Sequence, residues 1–153
     1  MTHLEPERCN CSALRQATRR VTKLYDDALA PAGLGLNQYS ILSRLSRVGP
    51  STIQDLAGLL VMDRSTLGHL LIPLERRRLV RRDVSAEDRR SRALALTAEG
   101  RALLAKARPL WTKAQQRFES TFGEDEALDL RTVLKRLATT EFPRPARRHK
   151  GGS

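Results

Sequence analysis

The chain has 153 residues, enough for one domain that holds its own core. Lys and Arg outnumber Asp and Glu by 28 to 17, the formal net charge is +11, and aromatic residues make up only 4%. That surplus points to phosphate, on nucleic acid or on membrane headgroups, while so few aromatic rings exclude a base-stacking platform for single strands.

In chain order, Leu14, Ala17, Val21, Leu24 and Ala28 recur at helical spacing and predict a first helix that stops before Pro31. Asn37 is the expected cap of a second helix, whose apolar positions are Tyr39, Ile41, Leu42 and Leu45. Gly49-Pro50 ends it. Ser51 with Gln54 and Thr52 with Asp55 are overlapping capping patterns for a short third helix. Asp63 caps a fourth helix, with Leu67, Leu70, Leu71 and Leu74 inward. Two strands follow, over 79–84 and 92–96, joined by a polar turn. Thr97 caps a long fifth helix with Leu103, Ala107, Leu110, Trp111, Ala114 and Phe118 on its buried face, and Pro109 is expected to kink or split it. Gly123 breaks the chain. A sixth helix begins with Glu124, Asp125 and Glu126, carries Lys135 and Arg136 near its end, and is stopped by Pro143 and Pro145.

The charge is unevenly placed. Between Arg76 and Arg92 there are eight arginines and no lysine. Beyond Pro143, Arg144, Arg147, Arg148 and Lys150 lie in a Pro- and Gly-containing tail that reads as flexible. No apolar run approaches the ~20 residues of a membrane span. Met1 to Cys11 is polar and has no secretory h-region. Two cysteines fit a reducing compartment, so the expected location is the cytoplasm.

Two short helices joined by Leu60-Val61-Met62-Asp63 and followed by a two-stranded ribbon form a helix-turn-helix with a β-wing. A helix fits the ~12 Å major groove of duplex DNA. The face of the fourth helix away from its leucines is Arg64, Ser65, Gly68, His69 and Ile72. Arginines at the wing tip suit an adjacent narrow minor groove.

These residues resemble the MarR family of bacterial winged-helix regulators. The resemblance is carried by Thr52-Ile53-Gln54-Asp55-Leu56-Ala57 and Met62-Asp63-Arg64-Ser65-Thr66-Leu67, and continues from Leu74 through Arg82. Its most specific part is Asp88-Arg89-Arg90 followed by Leu94-Ala95-Leu96-Thr97-Ala98-Glu99-Gly100. It implies a mainly α, winged-helix fold (α+β) of six helices and a two-stranded wing, dimerised through its N- and C-terminal helices. It also implies a homodimer on pseudo-palindromic duplex DNA, acting mostly as a repressor and released by a small molecule or by cysteine oxidation. Carried over, Arg64, Ser65, Thr66 and His69 form the major-groove face. Arg90 enters the minor groove, Asp88 holds the wing by an ion pair, and Arg89 lies near phosphates. The helical stripe from Leu14 to Ala28 independently asks for a second copy as cover. The expected organisation is an arm over 1–10, a dimerisation region over 11–36 and 97–142, a DNA-binding domain over 37–96, and a basic disordered tail over 143–153.

The chain departs from the family pattern at several points. Gly68 and His69 replace a usual Thr or Ser and Arg, Ile72 is apolar where a polar residue is expected, Pro73 lies inside the fourth helix, and Arg78 stands where glycine usually ends it.

Cys9 and Cys11 flank Asn10 at a helix start, where a thiol is activated. Redox sensing through this pair and packing at a dimer seam are the two readings, packing being favoured. Tyr25, Tyr39 and Trp111 are core or interface residues, or else the wall of an effector pocket in which Arg15 or Arg19 pairs an anionic ligand. No catalytic set, metal site or cofactor motif is visible, so neither an enzyme nor a cofactor is expected. The alternative DNA-binding reading is an architectural protein with little sequence preference.

Overall fold

The structure is a computed structural model that describes residues 8–84 and 92–143. The first seven residues of the expected arm, the wing tip with Asp88, Arg89 and Arg90, and the basic tail from Arg144 onward lie outside the described residues.

Helix α1 (Asn10–Leu29) starts at Cys9, whose sulfur accepts the Ser12 N–H at 3.4 Å. Tyr25 and Leu29 are buried, whereas Leu14 and Ala17 of the expected stripe are exposed and Val21, Leu24 and Ala28 are half-buried. Pro31 sets a short 3-10 turn (Ala30–Ala32) that closes at Gly33, whose φ of 65° is in the left-handed region.

Helix α2 (Leu36–Val48) begins before the expected cap. Asn37 lies inside the helix, and Gly35 occupies the cap position. The acceptors come from elsewhere: Asp26 Oδ1 takes the Leu36 N–H at 2.7 Å and Gln38 Oε1 takes the Gly35 N–H at 3.2 Å. A carboxylate ten residues back on α1 thus does what a local cap would do.

A two-residue strand, β1 (Ser51–Thr52), precedes α3 (Ile53–Leu60) and makes the sheet three-stranded rather than two-stranded. Thr52 caps α3, its hydroxyl oxygen accepting the Asp55 N–H at 3.1 Å, while Ser51 turns back to the Gly49 carbonyl. Helix α4 (Arg64–Arg76) follows after three residues. Leu67, Leu71 and Leu74 are fully buried beneath it, together with Leu42, Leu45 and Leu56.

Helix α4 ends in a Schellman motif. The Leu79 N–H reaches the Leu74 carbonyl at 2.9 Å, and the Arg78 N–H reaches the Glu75 carbonyl at 2.9 Å. Arg78 holds the left-handed position with φ 58°, so the geometry that glycine usually supplies is kept without glycine. Left-handed backbone costs an L-residue roughly 1–2 kcal/mol. Arg78→Gly is therefore expected to stabilise the fold by about 0.5–1 kcal/mol, after the greater entropy of an unfolded glycine is subtracted. Thermal melts check this; a lowered midpoint would show that the Arg78 side chain outweighs its backbone strain.

Strands β2 (Val80–Val84) and β3 (Arg92–Leu96) pair antiparallel, Val80 opposite Leu96 and Arg82 opposite Leu94. β3 is the central strand, with β1 on its other edge, so Ala95 is buried as well as Leu94 and Leu96. Helix α5 (Ala98–Phe122) is a single element that Pro109 does not split. The Ala105 carbonyl loses its helical donor there, but Ala105 and Pro109 are both exposed, on the solvent side of the helix. Leu104, absent from the expected inner face, is buried with Ala107 and Ala114. Helix α6 (Glu124–Ala138) ends before the prolines, its last carbonyls taken by the Thr139 and Thr140 hydroxyls. No helix among the described residues is long and apolar enough to cross a membrane.

Candidate nucleic-acid interface

The site is built on the start of α4. Asp63 binds Thr66 twice: Oδ1 accepts its N–H at 2.8 Å and Oδ2 accepts its hydroxyl at 2.6 Å. These bonds favour the charged carboxylate and hold it below the ordinary aspartate range. The cap's contribution to stability is therefore complete above about pH 3.9, the usual unfolded value, and is lost as pH falls through the lowered folded value. The same bond commits the Thr66 hydroxyl proton. Thr66 is left with only its acceptor lone pairs, so it suits an amino group rather than a phosphate.

Arg64, Ser65 and His69 are exposed on the first two turns, and Gly68 lies between them. No ion pair among the described residues occupies Arg64. The arginine-rich stretch beyond α4 separates into roles. Arg82 pairs with Glu75, and Arg81 pairs with Asp83 at 2.7 Å. Arg77 donates to the Gly33 carbonyl at 2.6 Å, tying the end of α4 to the α1–α2 corner. Arg76 and Arg78 are exposed beside them.

The three aromatic residues expected near an effector do come together. Tyr39 and Trp111 stack at 5.9 Å with planes 12° apart, and Tyr25 lies 6.3 Å from Trp111. Burial raises the pKa of both tyrosines; the nearby Glu119 carboxylate adds to this for Tyr25, and the Arg108 guanidinium opposes it for Tyr39. Two clefts meet this cluster. One, of about 290 Å³, is lined by Tyr39, Ser40, Ser43, Arg44, Arg47 and Trp111. The other, of about 480 Å³, runs between α1, α5 and α6 past Tyr25, with Arg131 and Lys135 at its rim. Arg15 and Arg19 are exposed on α1 and line neither cleft. Arg108 on α5 faces Tyr39, and the cations that line the cleft beside the stacked rings are Arg44 and Arg47, on α2. Their signal in the sequence is the stripe at positions 40, 43, 44 and 47, one helical face of polar residues.

Cys9 and Cys11 are both exposed in the single chain, so the packing expected of them finds no cover within it.

Residues 34–91 match the family described as MarR family. The organic hydroperoxide resistance transcriptional regulator of Bacillus subtilis (strain 168) is 31% identical over 105 residues, covering 69% of this chain and 71% of that one. The chain belongs to the MarR family. Similar solved structures include the M. tuberculosis transcriptional regulator MosR in complex with DNA, with TM-score 0.77 and 36% identity, covering 85% of this chain and 93% of that one. The transcriptional repressor CouR bound to a 23-mer DNA duplex has TM-score 0.78 and 32% identity, covering 90% of this chain and 98% of that one. The chain matches the Escherichia coli HosA regulators at 36% identity over 80 residues, spanning 59% of their length.

Proposed function

We propose that the chain is a homodimeric, sequence-specific DNA-binding transcriptional regulator, a repressor released by a small-molecule ligand. The observation that carries this is the capped start of α4, which presents Arg64, Ser65 and His69 exposed, with no ion pair on Arg64 among the described residues. Arg64 supplies a bidentate donor for guanine or phosphate, and Ser65 and His69 reach adjacent base edges. Thr66 accepts from a base amino group. Asp88, Arg89 and Arg90 complete the interface from the wing, with Arg90 in the minor groove. The division of the chain follows: 37–96 reads DNA, and 11–36 with 97–142 dimerise.

Support for the dimer is the apolar surface that one copy leaves open. Ala127 is the only buried residue of α6, while Leu128, Val133, Leu134 and Leu137 are exposed. Release is read from the Tyr39–Trp111 cleft, which lies between α2 of the DNA-binding domain and α5 of the dimerisation region. A planar anion there stacks on the rings and pairs with Arg44 or Arg47. It wedges α2 from α5 and shifts the population of dimers away from the half-site spacing of ~34 Å.

A second reading rests on Cys9. Its sulfur is the cap of α1, and Cys11 is exposed two residues on. An organic hydroperoxide oxidises one thiol to a sulfenic acid and leaves as the alcohol; the other thiol then displaces water to close a disulfide. Cys9 caps α1 and Cys11 lies in its first turn, so closure removes the Cys9 sulfur from the Ser12 N–H and breaks the cap.

Footprinting the full chain on DNA beside its own gene tests these readings together. A short symmetric protected site is expected, lost on adding a planar aromatic carboxylate in the ligand reading, or cumene hydroperoxide in the thiol reading. Long continuous protection without symmetry would instead mark an architectural protein. Loss to peroxide that persists in Cys9→Ser and Cys11→Ser would remove the thiols.

A further inference from the structure

Ile72 is the one large apolar side chain that α4 leaves exposed, at 43%, while Leu67, Leu71 and Leu74 on the opposite side are fully buried. Its angular position is what matters. At about 100° per residue, Arg64, Gly68, Ile72, Ser65 and His69 occupy a sector of about 140° in that order, with Ile72 at its middle. It is therefore not a stray residue on the flank of the helix. It projects from the centre of the polar face, about 12 Å along the axis from Arg64 at 1.5 Å per residue.

One turn before it, Gly68 leaves a gap. A Cβ built there has no atom within 4 Å, so the space is open and no packing requires the glycine. Without a side chain at 68, the helix backbone approaches a surface more closely between Arg64 and Ile72. The face therefore has a polar start, a notch and a branched apolar side chain, with Glu75, paired to Arg82, and Arg76 one turn beyond it.

We infer that Ile72 is a specificity-determining residue that reads the C5-methyl group of a thymine in each half-site, reached across the notch at Gly68. The chemistry leaves little choice of target. The major groove offers hydrogen-bond donors and acceptors on every base pair, and thymine alone adds a methyl group. Isoleucine makes no hydrogen bond, so its contact carries sequence information only through that methyl. Against any other pair it covers a base donor or acceptor without replacing the water it displaces. The inference rests on α4 being the helix that enters the groove.

The test uses the full chain and the duplex it selects from a random-sequence pool. Each thymidine is replaced in turn by deoxyuridine, which removes the methyl and nothing else. Binding is measured by fluorescence anisotropy at fixed salt. One position per half-site is expected to weaken binding about fourfold when its methyl is lost, and about fifteenfold when both symmetric positions are changed. Ile72→Ala is expected to bind the thymidine and deoxyuridine duplexes alike, and Ile72→Val to keep part of the difference. Ile72 is exposed, so both variants are expected to melt like the parent. Tolerance of every replacement within twofold overturns the inference, as does a deoxyuridine penalty that survives in Ile72→Ala. Arg64→Ala and Ser65→Ala on the same duplex separate the two levels. If they weaken binding while no methyl matters, only the methyl readout fails; if they too change nothing, the placement of α4 in the groove fails with it.

Discussion

Gly100→Ala is expected to destabilise the fold by about 3 kcal/mol, the upper part of the range for forced overpacking, and to lower the thermal midpoint by roughly 10 °C. Helix propensity alone predicts the opposite sign, because alanine in a helix interior is favoured over glycine by about 0.5–1 kcal/mol. Gly100 is the third residue of α5 and is buried. Its N–H donates to the Thr97 hydroxyl at 2.9 Å, and that hydroxyl in turn donates to the Arg78 carbonyl at 2.7 Å. The start of α5 is thereby seated on the corner where α4 turns into β2. A Cβ on Gly100 falls inside van der Waals contact with the Leu79 carbonyl oxygen and 2.7 Å from Leu96 Cδ1. The first obstacle is backbone, which no rotamer change relieves. Relief requires α5 to lift from the corner, which exposes Leu79 and Leu96, both now buried. Urea and thermal melts decide it. A midpoint equal to or above the parent's would mean that α5 is seated more loosely than this geometry requires.

The features legible in the sequence were those whose partners are close along the chain. Asp63 with Thr66 and Thr97 with Gly100 are pairs three residues apart, so the starts of α4 and α5 follow from residue type and spacing alone. The leucine face of α4 is equally local, since 67, 71 and 74 recur at helical intervals and all are buried. The start of α2 was not legible, because its acceptor is Asp26 on the preceding helix. Strand β1 is two residues long and has no alternation to read; only its pairing with Leu94 and Ala93 makes it a strand.

The same division runs through the candidate site. The exposed face of α4 could be read from periodicity. The arginine-rich stretch could not be resolved into roles, because Arg77 finds its acceptor 44 residues away at Gly33 and Arg82 finds Glu75 across the corner. The aromatic cluster is legible residue by residue, but the cations that line the cleft beside the Tyr39–Trp111 stack are not. Arg15 and Arg19 share a helix with Tyr25, whereas Arg44 and Arg47 share one with Tyr39 and flank the Tyr39–Trp111 stack. Which helix presents charge to a cleft depends on how helices cross, and no spacing rule within one helix encodes that.

Leu134→Arg is expected to convert the chain to a monomer and to weaken binding to its selected duplex by roughly 10²–10⁴-fold, the range lost when two linked contacts become one. The reason lies in what α6 leaves open. Leu128 is 56% exposed, Val133 50% and Leu134 39%, on a helix whose other face buries one alanine. Leu134 also lines the long cleft with Leu14 of α1, so its substitution strikes where α1 and α6 would meet a second copy. A guanidinium placed there is desolvated in a dimer but remains hydrated in a monomer. The two states also differ in their response to salt. A monomer keeps its own basic face and gains one charge, so its non-specific binding at low salt is retained while symmetric-site binding collapses. Sedimentation equilibrium reads the assembly state, and anisotropy on symmetric and half-site duplexes reads the DNA term. If Leu134→Arg stays dimeric, or becomes monomeric yet binds the symmetric duplex within threefold of the parent, then the apolar face of α6 is not what joins two reading helices at a fixed distance.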